Sequence, residues 1–537
     1  MSDLPPSTPA PGAGEPADVG APLESQLPRG RRTAVIAAVS VAVLAVLGGG
    51  AAAAAFLLSG GGTQPDEVLP AATLAEISVD LDPSALQKIE ALKTLRKFPG
   101  LKQQLDLGSG DDVRKWIFDE AVKDTGCRNV DFDQDVAPWL GDRAALAAVD
   151  LAGTEPAPAM ALQVSDEAKA KAGIHQLVDC GHPGDDFGYA FAQGYVVISD
   201  STAHARTIVS AGEQTPLAAD PGYTRWDGAV GDRGVVNFYV GKNTADWMTR
   251  NLGQLSGGQL SGGQVTGSQL GAFTKRFQHF QGLSGTVRFS DGGVEVAAAG
   301  GGMTGTTGGA DVSGAVDRLP GDTAVALAYA VPHDCARQLI DEMAQLSGED
   351  AGQLVAQAET MTGLDLPGDL QTLLGTGVTL SLGGTPPELS TVTSPADVPF
   401  GATITGDTDR IEGVIHKIEE RQGFSLDRLG IVEKARDGRV ALASSAAYAD
   451  EVLGNGDLGR SSAFRQVVPE AGKASSLAYV DFDSRWVGAL EQLAGETGAP
   501  AADLAKVKAN LAPLKAFGAS TWQVGGTSHV LVKLTTD

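Results

Sequence analysis

Three short stretches of the sequence bring chemistry-bearing side chains close together. DFDQDVAPWLGD (Asp131–Asp142) opens with Asp131, Asp133 and Asp135, the alternating carboxylates with which a loop wraps calcium. Such a loop needs glycine at its sixth position for the sharp turn. Val136 stands there instead, so the expectation is a solvated turn leading to a buried Trp139. HQLVDCGH places His175, Cys180 and His182 within eight residues, and all three are zinc-ligating types. The spacing fits no zinc finger, and a half-cystine beside ordinary histidines is the expected reading. LSGGQLSGGQ, from Leu255, repeats the signature pentapeptide of ATP-binding-cassette ATPases. That signature works only against a phosphate-binding P-loop, and no GxxxxGK[ST] occurs. It reads as a loop. No metal, no ATP and no other cofactor is expected.

Nucleophilic and hydrolytic motifs are missing as well. There is no GxSxG elbow, no SxxK pair and no HExxH. Seven histidines and 66 carboxylates leave a dispersed site open, since a glycosidase needs only two well-placed acids. No residue is assigned a catalytic role. The net charge of −26, nearly all of it beyond residue 58, would repel a phosphate backbone, so nucleic acid is excluded as a partner.

The elements that must position any site begin with the N-terminal region. Residues 1–28 are Pro/Ala/Gly-rich without periodicity and read as a disordered tail. Arg29, Arg31 and Arg32 then precede an uncharged run from Thr33 to Leu58, and about 20 helical residues cross a bilayer core. The arginines favour a cytoplasmic N-terminus, so the expectation is a single transmembrane helix over 33–58 with everything after it outside the plasma membrane. A cleaved signal peptide is the competing reading, but signal cores are shorter. An oxidising compartment favours a bridge between Cys127 and Cys180, closing a loop of about 54 residues worth roughly 4 kcal/mol in the chain-entropy model. Cys335 is left over.

The exported part reads as one unit written twice. LPAATLAEISVDLDPSA, from Leu69, is echoed by LPGDTAVALAYAVPHDCA, from Leu319. DVAPWLGDRAALAAVDL, from Asp135, is echoed by DLQTLLGTGVTLSLGG, from Asp369. The stretch at Pro158 matches that at Pro399, carrying His175 onto His416. Two further matches carry Tyr239 onto Tyr479 and Phe280 onto Phe517. The order is the same in both copies. Hairpin signals such as RFSDGGVEV and QVGGTSHVLV among amphipathic helices make the class α+β. The expected organisation is tail 1–28, membrane helix 33–58, α+β repeat 68–302, Gly-rich linker 303–317 and α+β repeat 318–537.

ALQKIEALKTLRKFPGLKQQLDL (Ala85–Leu107) sets Lys88, Lys93, Arg96, Lys97 and Lys102 among apolar residues at helical spacing. A core-packing helix with a solvated face is expected ahead of contact with anionic lipid. This KTLRKFPG helix, the LPAAT strand opening, the CRNVDFDQDVAPWLGDRAALA block and the preceding apolar run together resemble the domain-of-unknown-function family numbered 3352, membrane-anchored bacterial envelope proteins. The resemblance implies an envelope location and carries no site residues. The functional expectation is a non-catalytic binding or interaction module of the cell envelope, with a protein or lipid partner. An extracytoplasmic hydrolase with dispersed carboxylates and a lipid or glycolipid carrier are the alternatives.

Overall fold

The computed structural model describes residues 62–82, 85–98, 112–122, 130–153, 155–180, 188–250, 279–302, 311–384, 386, 392, 394–484, 486, 488–489 and 501–537. The tail, the apolar run at 33–58, Cys127, His182 and LSGGQLSGGQ lie outside them. Among the described residues no helix is long and apolar enough to cross a membrane.

The molecule is mixed α/β, built on one large antiparallel sheet of sixteen strands. Its first half contributes β1 (Thr73–Asp80), β2 (Leu140–Val149), β3 (Ala157–Val164), β4 (Gly188–Ala192), β5 (Tyr195–Ser199), β6 (Val236–Gly241), β7 (Gly282–Ser290) and β8 (Gly293–Gly301). The second contributes β9 (Val325–Ala330), β10 (Gly377–Leu382), β11 (Phe400–Thr405), β12 (Val432–Arg436), β13 (Arg439–Ala443), β14 (Ser476–Asp481), β15 (Leu514–Val524) and β16 (Thr527–Thr536). From the outer edge inward the first half runs β4-β5-β3-β2-β1-β6-β7-β8, and the second runs β12-β13-β11-β10-β9-β14-β15-β16. The two orders are the same. β8 and β16 pair at the centre and fuse the halves into one sheet.

The ladders give the correspondence residue by residue. The tight turns Asp291–Gly292 and Gly525–Gly526 both take positive φ, the geometry a two-residue hairpin needs and glycine supplies without strain. Tracing the registers outward from them sets Tyr239 opposite Tyr479 and Glu76 opposite Ala326. One sequence match is shifted. Aligning Pro158 with Pro399 sets Ala159 against Phe400, whereas the ladders set Ala159 against Gly401, both buried. The first half has one extra residue between strand end and helix cap (Val164-Ser165-Asp166 against Gly406-Asp407), so the helix match is right and the strand match is off by one. Since side chains alternate, that slip turns every residue to the wrong face.

Helices cover both faces of the sheet. On the front, helices Thr202–Gln214 and Pro221–Val230 pack Ile208, Val209, Tyr223 and Trp226 onto Ala145, Ala159, Val197 and Tyr239. Helices Ala446–Val452 and Ser462–Val467 do the same in the second half, with Tyr448, Val452 and Phe464 against Ala441, Ala443 and Tyr479. On the back, helix Glu167–Cys180 seats Ala170 and Ile174 against Val196 and Trp139, and helix Thr408–Gln422 seats Ile411 and Ile415 against Ile404 and Val440. Small residues on the strands let the helices approach closely. Residues 311–317, expected in the linker, include a helical turn whose Val312 and Val316 belong to the second core. Composition misplaced that boundary because glycines crowd only its first part. The same turn in the first half, Pro65–Glu67, likewise precedes the expected start at 68.

Candidate functional site

The alternation of β1 sends Leu74, Glu76 and Ser78 to the front, beneath helix Pro221–Val230. Glu76 is 5% exposed and its Oε1 has no hydrogen-bond partner. Around it gather Asp66 from the turn Pro65–Glu67, Tyr223 and Asp227 from the helix, and Arg233 from the approach to β6. Arg233 Nη1 donates to Asp66 Oδ1 at 2.7 Å, and Nη2 donates to the Tyr223 hydroxyl at 3.1 Å. Gln87 Nε2 fixes the Arg233 carbonyl at 2.6 Å. Tyr223 meets Tyr239 edge-on, with centroids 5.0 Å apart.

The electrostatics follow from enclosure. Burial, reinforced by the Asp66 charge, pushes the Glu76 carboxyl up to about 8, so the protonated form predominates near neutral pH. Burial also raises Asp227, with Arg233 opposing, and raises the Tyr223 phenol. Burial works to strip Arg233 of its proton, but Asp66, Tyr223 and Glu76 outweigh it and raise the guanidinium above its usual range. One cation therefore serves three acids.

The second half fills the same space without charge. Asp66, Glu76, Tyr223 and Asp227 correspond to Val316, Ala326, Phe464 and Val468, all in the second core. Phe464 keeps the edge-on contact with Tyr479, at 5.2 Å. The fold itself does not require the acids.

The back of the second half differs in the opposite sense. Leu327, Tyr329, Leu380 and Phe400 are 43%, 44%, 47% and 37% exposed on adjoining strands β9, β10 and β11. Leu380 pairs Leu327, Val378 pairs Tyr329 and Leu382 pairs Phe400, so the patch is continuous. Their counterparts Ile77, Val79, Leu146 and Pro158 are all only half-exposed. Helix Cys335–Ser347 begins beside Tyr329 and exposes Leu339, Met343 and Leu346 along one stripe.

Residues 35–179 match the family model described as "Protein of unknown function (DUF3352)". The chain carries a DUF3352 segment. Neither a curated protein nor a solved structure matches it. The DUF3352 segment begins inside the apolar run and ends with helix Glu167–Cys180, so it supplies Asp66 and Glu76 but not Tyr223, Asp227 or Arg233.

The other residues singled out by type also have places. Within the DUF3352 segment Asp131 caps a short π-helical turn, accepting from the Gln134 amide, while Asp135 accepts from the Asp131 amide and Asp133 pairs with Lys115. The three carboxylates are thus each engaged separately, and Trp139 is buried with its Nε1 donating to the Asp135 carbonyl at 2.6 Å. No group of three or more metal-ligating side chains is found among the described residues. His175 lies 3.4 Å from the Tyr189 hydroxyl; its counterpart His416 faces Glu433, the counterpart of Tyr189. Cys180 closes its helix, and its expected partner Cys127 lies outside the described residues. Cys335 is a free, half-buried thiol. Helix Ala85–Leu95 packs on β7 and β8, and Lys97 just beyond it donates to the Thr536 carbonyl and hydroxyl of the other half.

Proposed function

We propose that the chain is a membrane-tethered, extracytoplasmic, non-catalytic binding module, a tandem duplicate whose second copy takes acyl chains on the open back of its sheet. The observation that carries the reading is the continuous apolar surface of Leu327, Tyr329, Leu380 and Phe400. Apolar side chains exposed together on a sheet mark interaction sites, whereas single exposed ones need no explanation. Neighbouring back-face positions Val325, Val378, Leu382, Ala402, Ala478 and Val480 are apolar too, so the surface suits hydrocarbon better than a hydrogen-bonding partner. The uncharged run preceded by three arginines supports the tether. Only residues 59–64, about 20 Å fully extended, separate that run from the first turn of the folded body, which would hold the module close to lipid.

The hydrolase reading draws on the first-half acids that the second half lacks. Glu76 and Asp66, at 5% exposure each, are closed to a substrate, so the binding reading is the better supported. The test is lipid extracted from full-length protein purified in detergent, quantified by mass spectrometry. Leu380→Asp should lose most of the co-purifying acyl lipid while changing stability by under about 0.5 kcal/mol, as surface substitutions do. Equal lipid in both proteins would defeat the proposal.

A further inference from the structure

Residues 62–70 form a strap across the front of the first half. The Tyr195 hydroxyl donates to the Thr63 carbonyl at 2.8 Å, the Leu217 amide donates to the Leu69 carbonyl at 2.7 Å and the Ala71 amide to the Thr215 carbonyl at 2.9 Å. Val68 and Leu69 are fully buried between the helices. The strap carries one of the buried acids, Asp66, and Arg233 holds it there. The equivalent strap of the second half, 312–320, is seated by Val316 and needs no ion pair.

We infer that the Asp66–Arg233 pair and Glu76 form a proton-operated latch on this strap, closed while Glu76 keeps its proton and loosened when Glu76 ionises. Ionising Glu76 in the closed strap is costly. Glu76 Oε1 is unpartnered and enclosed, and the uncommitted donors facing it, Ser78 Oγ and Arg233 Nε, do not offset its burial and the Asp66 charge. The groups facing it are Asp66 from the strap, Asp227 and Tyr223 from helix Pro221–Val230, Arg233 before β6, and Ser78 on its own strand. Only Arg233 is cationic, and its two Nη atoms are already committed to Asp66 and Tyr223, leaving only Nε uncommitted. An ionised Glu76 repels Asp66 and competes for its guanidinium. Lifting the strap relieves both effects by removing Asp66 and admitting water. The second half shows that the fold seats a strap on valine, so the charged version is dispensable for architecture and is available as a switch.

Amide hydrogen exchange of the full-length chain, corrected for intrinsic rates, reads the opening of each strap. Glu76 holds its proton when the strap is closed and loses it when open, so opening is favoured as pH rises. From pH 5.5 to 7.5 protection at Leu69 and Ala71 should fall, by up to about tenfold per pH unit. Val316 and Leu319 in the second strap should show no such slope. Glu76→Gln should abolish the slope at Leu69 and Ala71, and Asp66→Asn should lower their protection about tenfold or more at pH 5.5. A flat wild-type profile, an equal slope in both straps, a slope surviving Glu76→Gln, or unchanged protection in Asp66→Asn would each overturn the latch.

Discussion

Glu76 also has a measurable effect on the stability of the whole fold. The unfolded chain releases this proton in the ordinary carboxyl range, while the folded chain keeps it to about 8. Between those limits the folded state binds more protons, so stability falls with rising pH, by about 1.4 kcal/mol per pH unit from this one group. Glu76→Gln removes that penalty while keeping the shape. Its melting temperature should exceed wild type at pH 8 and converge with it near pH 5; a gap that is constant with pH would show that Glu76 does not hold its proton. The sequence hid this residue in a specific way. In AEISVD the apolar residues are Ala75, Ile77 and Val79, which reads as a strand with those positions inward and Glu76 in water. The structure buries the polar side instead, with Asp66, Tyr223 and Arg233 around Glu76, and leaves Ala75, Ile77 and Val79 half-exposed on the back. The available signal lay in the duplicate, where Ala326 and Val316 stand opposite Glu76 and Asp66 in the two LP-led stretches. At the same scale, a bridge between Cys127 and Cys180, expected from the sequence, would leave Cys335 as a single reactive thiol. With that bridge, maleimide applied to unreduced, denatured protein labels Cys335 alone; a labelled Cys127 or Cys180 would show that the bridge is absent.

Among the elements, the hairpins and their order were legible, and the close contacts between layers were not. Asp-Gly and Gly-Gly turns fix β7–β8 and β15–β16 because few residues tolerate positive φ, so their sequence signal is strong. The strand β3 was misaligned by one because Pro158 and Pro399 look equivalent in sequence while the chain accommodates an extra residue only at the helix cap. Helix Glu167–Cys180 shows how such layers lock. Gly173 lies against Trp139, and a Cβ there would come within 2.3 Å of the indole nitrogen and 2.5 Å of the Asp135 carbonyl oxygen. The counterpart of Gly173 is Val414, so the need for glycine comes from the large indole on the first-half back face and not from the helix. Gly173→Ala should therefore destabilise by about 1–3 kcal/mol, the usual cost of overpacking, and should quench or shift the Trp139 environment. A neutral Gly173→Ala in chemical denaturation would mean that the turn Phe132–Val136 yields easily.

The whole molecule is held together where β8 meets β16. Ala297 pairs Leu531, and the two are counterparts, so a local twofold passes through the seam. The seam is nonetheless asymmetric in charge. At one end Lys533 reaches Asp291 at 3.0 Å and Glu295 at 3.1 Å, while Arg288 holds the other side of Glu295. At the opposite end the corresponding pair is Ala299 and His529, with His529 stacked on Trp522. Two identical halves could pair between chains as readily as within one; a charge pair at one end distinguishes the correct register from its alternatives. Lys97 and Gln466 add hydrogen bonds from each half to the other beside the same turn. With a continuous ladder and buried ions across the join, neither half presents a finished edge on its own. Equilibrium unfolding should therefore be a single transition reported alike by circular dichroism and by tryptophan fluorescence. Lys533→Ala leaves Glu295 with Arg288, and should cost no more than the roughly 3–5 kcal/mol of removing one partner from a buried ion pair. The midpoint should move and the transition should remain single, because the ladder survives. Two resolved transitions, in wild type or in Lys533→Ala, would mean that the halves are separate folding units that merely touch along β8 and β16.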